Sequence, residues 1–253
     1  MKIKTSYGSH ETQRERVYHQ IKLALMAGDY EPGQKITIAA VAAALGVSAT
    51  PVREALRRLA AERALVMYPN RSVLVPRLSR EEVLNIRAIR QQLEALAAKL
   101  AAARIDEERI ERLVRLQLAL AAARDRGDGR RILHLNEKFH FIVYEAAGVQ
   151  VLTDIISTLW LHSAPTLNLL FKPEHISRYP LAAQNRNNRA LIKALRSRDG
   201  ERAARAVAAE IAVGSRVLDQ LMAENGWAAG ARSRGVGRVK PRGRPLALPD
   251  RRR

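Results

Sequence analysis

The chain has 253 residues, of which 47% are hydrophobic, so it has enough apolar side chain to bury a core in one large domain or two smaller ones. It contains no cysteine, which excludes disulfides, thiolate nucleophiles and cysteine zinc sites, and no apolar run reaches the roughly eighteen residues that span a bilayer. The formal net charge of +19 and the pI near 11.1 predict a polyanion or an acidic surface as partner.

The first predicted element is an amphipathic helix. It follows a polar, basic stretch that lacks the apolar core of a secretory signal, so we expect a cytoplasmic protein. Val17, Ile21 and Leu25 recur at helical spacing, and the pattern stops at Gly28 before a turn at Pro32 and Gly33. One helix and one turn are therefore predicted here.

A second helix, a third helix and a hairpin follow. The segment "TIAAVAAALG" predicts a short helix ending at Gly46, after which Ser48 can cap a third helix that has Pro51 in its first turn. The segments "ALVMY" and "SVLVP" flank "PNR" with the β-rich composition and turn residues of a hairpin. This order predicts a helix-turn-helix followed by a wing.

The third helix has two opposite faces. Apolar spacing predicts that one face is buried, and it consists of Val52, Ala55, Leu56 and Leu59. The other presents Thr50, Arg53 and Arg57, which form either an ordinary solvated face or a DNA-reading face, because an α-helix fits the major groove and arginine pairs with guanine there. Arg71, at the predicted hairpin tip, is placed to reach phosphate or the minor groove. The hairpin and the basic charge favour the DNA-reading interpretation.

Beyond Pro76 the sequence changes to long helices. Ser79 to Glu82 is a capping-box signature that opens a helix to about residue 103, and the later segments include a nearly all-apolar, buried helix predicted over residues 149–171. We count six helices and no strand, which predicts a helical bundle. The expected fold class is mainly α, with a winged helix-turn-helix over residues 1–78 and an all-α bundle over residues 79–227.

Residues 228–253 form a separate, strongly basic tail. They carry nine basic side chains and one acidic side chain, and their glycine, proline and arginine content predicts disorder. The tail either aids solubility and nonspecific contact or is a specific partner site.

Several of these segments resemble a known family. "AGDYEPGQKI", "LGVSATPVREALRRLAAE" and "PNRSVLVP" resemble the winged helix-turn-helix of the GntR family of bacterial transcription regulators, and "LNEKFHFIVYEAAG" resembles the FCD-type ligand-binding domain of its FadR subfamily. The resemblance implies DNA contacts at Ser48, Thr50, Arg53 and the wing near Arg71. The sequence departs from the family at Ala49, where arginine is common, and at Ser72, where glycine is common. The loss of that arginine leaves the operator sequence undefined.

Asn136 and His140 lie four residues apart, so both project from one face of one helix. By itself such a histidine is either an ordinary core or surface group or a ligand. The resemblance implies that four positions correspond to the family's metal ligands, and they are Asn136, His140, Asn188 and Glu210. The family usually has aspartate at the first of these and histidine at the last two, so one imidazole among four donors disfavours zinc or nickel. We expect no cofactor, with a divalent metal as the alternative.

A metal-free pocket lined by the same polar groups is the favoured interpretation. The resemblance places Arg90 where the family directs a basic group toward the pocket, and with Asn136 and His140 it would bind a carboxylate. The alternative is that Arg90 pairs with Glu94, one helical turn further on. The resemblance implies a small organic acid as the effector.

These features predict a ligand-responsive, DNA-binding transcription regulator that acts as a repressor on a double-stranded operator. A homodimer is expected, because one recognition helix reads too few base pairs. A nonspecific architectural DNA-binding protein would explain the charge but would leave the pocket unused. A metal hydrolase using His140 and Glu210 would lack a nucleophile and a complete ligand triad, so no enzyme is expected.

Overall fold

The computed structural model describes residues 12–68, 72–172 and 174–224. The helices in these residues are α1 (Gln13–Met26), α2 (Ile38–Leu45), α3 (Ala49–Ala61), α4 (Arg80–Arg104), α5 (Glu107–Asp125), α6 (Gly129–Ala146), α7 (Gln150–Leu167), α8 (Leu181–Arg196) and α9 (Gly200–Glu224). The strands are β1 (Lys35–Ile36), β2 (Val66–Met67) and β3 (Val73–Leu74), and two short 3₁₀ turns cover Asn168–Phe171 and Ile176–Arg178. The predicted basic tail lies outside the described residues.

The first part of the chain is a winged helix-turn-helix. Its sheet has the order β1-β3-β2, with Ile36 and Met67 both opposite Val73, and the predicted hairpin is confirmed as β2 and β3. The sequence analysis missed β1, because a strand of two residues is too short to show an alternating pattern. The sheet holds the hairpin against the helices through Ile36 and Val73, which are both buried.

The turn between α2 and α3 fixes the direction of the third helix. Gly46 adopts a φ of 64°, which a residue without a side chain adopts at little cost, and the two helices are bent by 118°. Ser48 occupies the N-cap position of α3, but its side chain makes no capping hydrogen bond, so that part of the prediction is wrong. The predicted inner face of α3 is confirmed, since its four apolar residues are at most 1% exposed.

Helices α4 to α9 form the predicted bundle of six helices. Helix α4 begins at a capping box in which Ser79 and Glu82 each bond the other's backbone amide. It packs along α9 and also contacts α6, α7 and α8, so one of its faces joins four other helices of the bundle. The fold-class prediction of a mainly helical chain, with a winged helix-turn-helix and then a bundle, is confirmed.

Helix α7 connects the two parts of the molecule and corrects one prediction. It was expected to be buried throughout, but Val151 is 66% exposed and Ile155 is 46% exposed. At its other end, Leu161 and Ala164 belong to the core of the winged helix-turn-helix, where α7 packs against α1. Beyond this end, the Asn168 side chain donates to the Leu25 and Met26 carbonyl oxygens at the end of α1, at 3.2 Å each.

Within the described residues, no individual helix has both the length and the apolar composition of a membrane span. The bent pair α2 and α3 meets those two criteria only when its members are taken together.

Candidate DNA interface and ligand cavity

The outer face of α3 is exposed and basic. Ser48, Thr50, Arg53 and Arg57 are all solvent-exposed, as the sequence analysis expected. In the described part of the chain, no carboxylate forms an ion pair with Arg53 or Arg57. Both guanidinium groups are therefore available to a partner. Arg71 lies outside the described residues.

Other arginines near α3 have structural partners. The Arg58 guanidinium lies 3.8 Å from the centre of the Tyr18 ring, and its Nε is 3.2 Å from Glu62 Oε1. The Tyr18 hydroxyl donates to the same carboxylate, which ties α1 to the end of α3. Burial and the Glu62 carboxylate raise the pKa of Tyr18 above its ordinary value, so the phenol remains a donor. Arg58 thus stabilises the domain, whereas Arg53 and Arg57 point their charge outward.

A cavity of about 120 Å³ lies inside the bundle and reaches the winged helix-turn-helix. Its walls come from α4, α6, α7 and α9, and Met26 of α1 closes one side. Most of the wall is apolar, and its apolar and aromatic members include Ile86, Leu133, Trp160, Leu170, Phe171, Tyr179 and Leu218. Its polar and charged members are Arg87, Arg90, Glu94, Asn136, Glu137, His140, Ser163, Thr166, Asn168 and Glu210.

Arg90 lines the cavity and also forms the pair with Glu94 that the sequence analysis gave as the alternative. Its Nε donates to Glu94 Oε1 at 2.6 Å, and its Nη1 donates to the Ser163 hydroxyl at 3.2 Å. The Glu94 carboxylate also accepts from the Tyr144 hydroxyl and, at 2.8 Å, from Trp160 Nε1. Glu94 is 1% exposed, so three donors satisfy its charge in the interior.

A second polar network joins four helices on the opposite wall. His140 Nε2 lies 2.9 Å from both oxygens of Glu210, and the Gln184 amide donates to Glu210 Oε1 at 3.1 Å and to Asn136 Oδ1 at 2.8 Å. Arg124 of α5 donates to the Gln184 carbonyl oxygen at 2.8 Å. Direct hydrogen bonds therefore hold Asn136, His140 and Glu210 together.

The four metal-ligand positions implied by the resemblance do not fit a transition metal. The Gln184 amide lies between Asn136 and Glu210, where it already bonds both oxygen donors. Asn188 is fully buried, does not line the cavity, and both its amide atoms lack a hydrogen-bond partner in the described residues. No group of three or more histidine, cysteine or acidic side chains in the described residues is arranged to hold a metal. One imidazole with carboxamide oxygens is also a poor set for zinc or nickel.

The buried pair of His140 and Glu210 makes stability depend on pH. Burial by itself lowers the pKa of His140, but the Glu210 carboxylate outweighs this and raises it above the ordinary 6.5. Burial raises the pKa of Glu210, but His140 and Gln184 bring it below the ordinary 4.5. The His140 contribution is complete below pH 6.5 and is lost as pH rises through its folded pKa. The Glu210 contribution is complete above pH 4.5 and is lost as pH falls through its folded pKa.

We therefore expect Glu210→Gln to lower the free energy of unfolding most between about pH 4.5 and 6.5, where both groups are charged. Urea unfolding at pH values inside and outside this window measures the difference from the unmodified protein. Glu201→Gln is the control, since Glu201 forms an exposed pair with Lys99. A Glu210 effect of the same size at every pH would contradict this assignment.

Sequence reasoning missed several residues at the cavity. Arg87 had a detectable signal, because it lies three residues before Arg90 and shares its helix face. Gln184 does not line the cavity but bonds Asn136 and Glu210, which do; it had a similar signal, because it lies four residues before Asn188. Glu137 and Thr166 had no detectable signal in the sequence, because only the packing of α6 and α7 turns them toward the cavity.

Comparisons with known proteins agree with this architecture. Residues 13–75 match the model of the gntR family of bacterial regulatory proteins, and residues 85–212 match the model of the FCD domain. The HTH-type transcriptional regulator McbR of Escherichia coli (strain K12) is 31% identical over 192 residues, which are 76% of this chain and 86% of McbR. The HTH-type transcriptional repressor RspR of the same strain is 25% identical over 225 residues, which are 89% of this chain and 97% of RspR.

A solved structure of E. coli McbR/YncC has a TM-score of 0.74 with this chain at 27% identity, over 85% of this chain and 97% of that one. The chain therefore belongs to the gntR family of bacterial regulatory proteins, with an FCD domain behind its DNA-binding domain. It is a DNA-binding transcription regulator whose FCD domain is a ligand-binding domain.

Proposed function

We propose that this protein represses transcription from a double-stranded DNA operator and that a small carboxylate bound in the FCD cavity lowers its operator affinity. The observation that carries the proposal is the position of the cavity. Met26 of α1 lines it, and so does Asn168, whose side chain holds the end of α1. A ligand in the cavity would therefore touch the element that positions the DNA-binding domain.

The carboxylate of the effector would bind at Arg90. Two of its guanidinium nitrogens have protein partners, Glu94 and Ser163, while its Nη2 donates to no described residue. Asn136, His140 and Glu210 form the opposite wall and would contact the rest of the ligand. Asn188 would act indirectly, since it is buried behind this wall.

The regulatory mechanism would be a shift between two arrangements of the domains. A ligand that displaces Asn168 or Met26 favours an arrangement in which the two recognition helices no longer match the spacing of the half-sites. The operator affinity then falls by the coupling free energy, typically about 1 to 3 kcal/mol. Replacing Asn168 with alanine should weaken this coupling more than it weakens ligand binding.

A homodimer would pair two recognition helices on one operator. Exposed apolar side chains on the adjacent helices α4 and α7 supply a surface for a second copy: Ile89 is 50% exposed, Leu96 45%, Val151 66% and Ile155 46%. Half-buried leucines of the same helices lie among them. An exposed apolar face of this kind is typical of a subunit interface.

We expect Leu96→Glu and Ile155→Glu each to weaken the dimer by about tenfold or more, because a charge would be buried at the subunit contact. Sedimentation velocity over a range of concentrations measures this. Leu118→Glu is the matched control, since Leu118 is 67% exposed on α5 and outside this face. If both variants remained as dimeric as the Leu118 variant, the α4 and α7 face would not be the interface.

The function is tested by selecting bound DNA from a random pool, with and without a panel of small carboxylic acids. We expect one short palindromic motif, and we expect at least one acid to release it. A uniform footprint on any duplex would instead support a nonspecific architectural protein. Chelator treatment should leave the melting temperature unchanged, whereas the effector acid should raise it by mass action.

We also propose that the protein is cytoplasmic and acts without catalysis. Membership of a family of transcription regulators supports both statements. Its role then depends on binding equilibria alone.

A further inference from the structure

Hydrogen-bond donors without acceptors gather on one wall of the cavity. Thr166 is 1% exposed, and its hydroxyl has no hydrogen-bond partner in the described residues. Arg87 Nη1 is buried and likewise lacks a hydrogen-bond partner, its nearest acid being Asp219 at 3.9 Å. The hydrogen bonds of Arg90 to described residues come from its Nε and Nη1, and its Nη2 makes none. All three residues line the cavity.

The packing of α4 against α7 brings these donors together. The two helices are antiparallel, because Glu94 bonds Trp160 while Arg90, one turn earlier, bonds Ser163. One further turn toward the start of α4 is Arg87, and one further turn toward the end of α7 is Thr166, so these two residues lie opposite each other. Two guanidinium groups and a hydroxyl thus lie on neighbouring turns of one wall of the cavity, an arrangement suited to a carboxylate.

The opposite wall carries acceptors. Glu137 and Glu210, from α6 and α9, both line the cavity. No described residue donates a hydrogen bond to the Glu137 carboxylate, and burial raises its pKa above the ordinary value. Glu137 is half-buried, so its carboxylate has lost part of its contact with water, and a cationic group in the cavity would offset that loss.

The balance of charged side chains around the cavity also favours a ligand that carries a cationic group. Arg87 and Arg90 face three carboxylates, those of Glu94, Glu137 and Glu210, and the imidazole of His140 bonds the last of them. A ligand that brings only a carboxylate adds negative charge to a site already rich in acids. A ligand that also brings an ammonium group leaves the net charge unchanged, which costs less in an enclosed site.

We propose that the effector is a small zwitterion, whose carboxylate binds Arg87, Arg90 and Thr166 and whose ammonium group binds Glu137 and Glu210, with the apolar wall contacting its carbon skeleton. This inference rests on the proposed function, since it specifies the ligand of the same cavity. Because Glu137 lies on the side of α6 that faces Lys22 of α1, the ammonium group would be bound next to the DNA-binding domain.

The test compares ligands that share a carbon skeleton, using the full-length protein and calorimetry. One series is valerate, norvaline, δ-aminovalerate and pentylamine, and a second is phenylpropanoate, phenylalanine and phenethylamine. We expect at least one amino acid to bind about tenfold or more tightly than both its plain acid and its amine, since each charged hydrogen-bonded end contributes on that scale. The same amino acid should release the operator.

Two matched pairs of variants locate the two ends of the ligand. Glu137→Gln should remove the preference for the amino acid over the plain acid, while Glu145→Gln, exposed on the same helix, should preserve it. Thr166→Val should weaken the plain acid and the amino acid alike, while Thr158→Val, exposed on α7, should not. Retained preference in Glu137→Gln would overturn the proposed ammonium site.

Two other outcomes separate this inference from the proposed function. If a plain acid binds and releases the operator as well as its amino counterpart does, the zwitterion inference is wrong and the proposed function stands. If no amino acid binds, the inference is also wrong, and operator release by the wider acid panel decides the proposed function on its own.

Discussion

Replacing Glu94 with leucine is expected to lower the free energy of unfolding by about 3 to 5 kcal/mol, because it leaves a charged guanidinium without its counter-ion in the interior. Arg90 is only 7% exposed and has its shortest contact, 2.6 Å, to this carboxylate. The Tyr144 hydroxyl and the Trp160 indole would lose their acceptor at the same time. Urea unfolding, with the transition followed by circular dichroism, measures the loss.

Two further variants separate charge from packing. The double variant Arg90→Met with Glu94→Leu should be more stable than Glu94→Leu alone, because it removes the unpaired charge. Glu94→Gln should lie between the unmodified protein and the leucine variant, since it keeps an acceptor but not the charge. Glu201→Leu, which breaks an exposed pair with Lys99, should cost about 1 kcal/mol or less. A Glu94→Leu variant no less stable than this control would show that the network contributes little.

Replacing Arg53 with alanine is expected to cost about 1 to 3 kcal/mol in operator affinity and to relax the preference at one base position. Arg53 is exposed on the outer face of α3, and no described carboxylate neutralises it. It is therefore available for two hydrogen bonds to a guanine in the major groove. Fluorescence anisotropy with operator DNA, followed by selection from a random pool, measures both effects.

Two other arginines provide the comparison. Arg71→Ala should weaken binding to all sequences more evenly and should flatten the dependence on salt, as a phosphate contact does. Arg115→Ala removes the same charge from an exposed site on α5 and should leave operator binding unchanged. Unchanged affinity and unchanged motif in Arg53→Ala would contradict the assignment of α3 as the recognition helix.

The sequence by itself determined the helices and which face of α3 is exposed and basic, because both depend on local periodicity. The apolar spacing in α3 placed Leu56 and Leu59 inside and Arg53 outside, and the capping box at Ser79 marked the start of α4. Three of the four pocket positions that the resemblance implies also lie together, since Asn136, His140 and Glu210 share one hydrogen-bond network. The same reasoning could not show that Ser48 lacks a capping bond, which depends on the orientation of one hydroxyl.

Only the tertiary structure decided which side chains line the cavity and what those side chains contact. Glu94 meets Tyr144 and Trp160 across 50 and 66 residues of sequence, and Gln184 reaches Asn136 across 48, distances over which no local pattern carries information. Asn168 contacts the end of α1 across 142 residues or more, so the link between the cavity and the DNA-binding domain also exists only in three dimensions. The physical reason is that periodicity fixes which face of a helix is buried, whereas the partners on that face are set by how separate helices pack against one another.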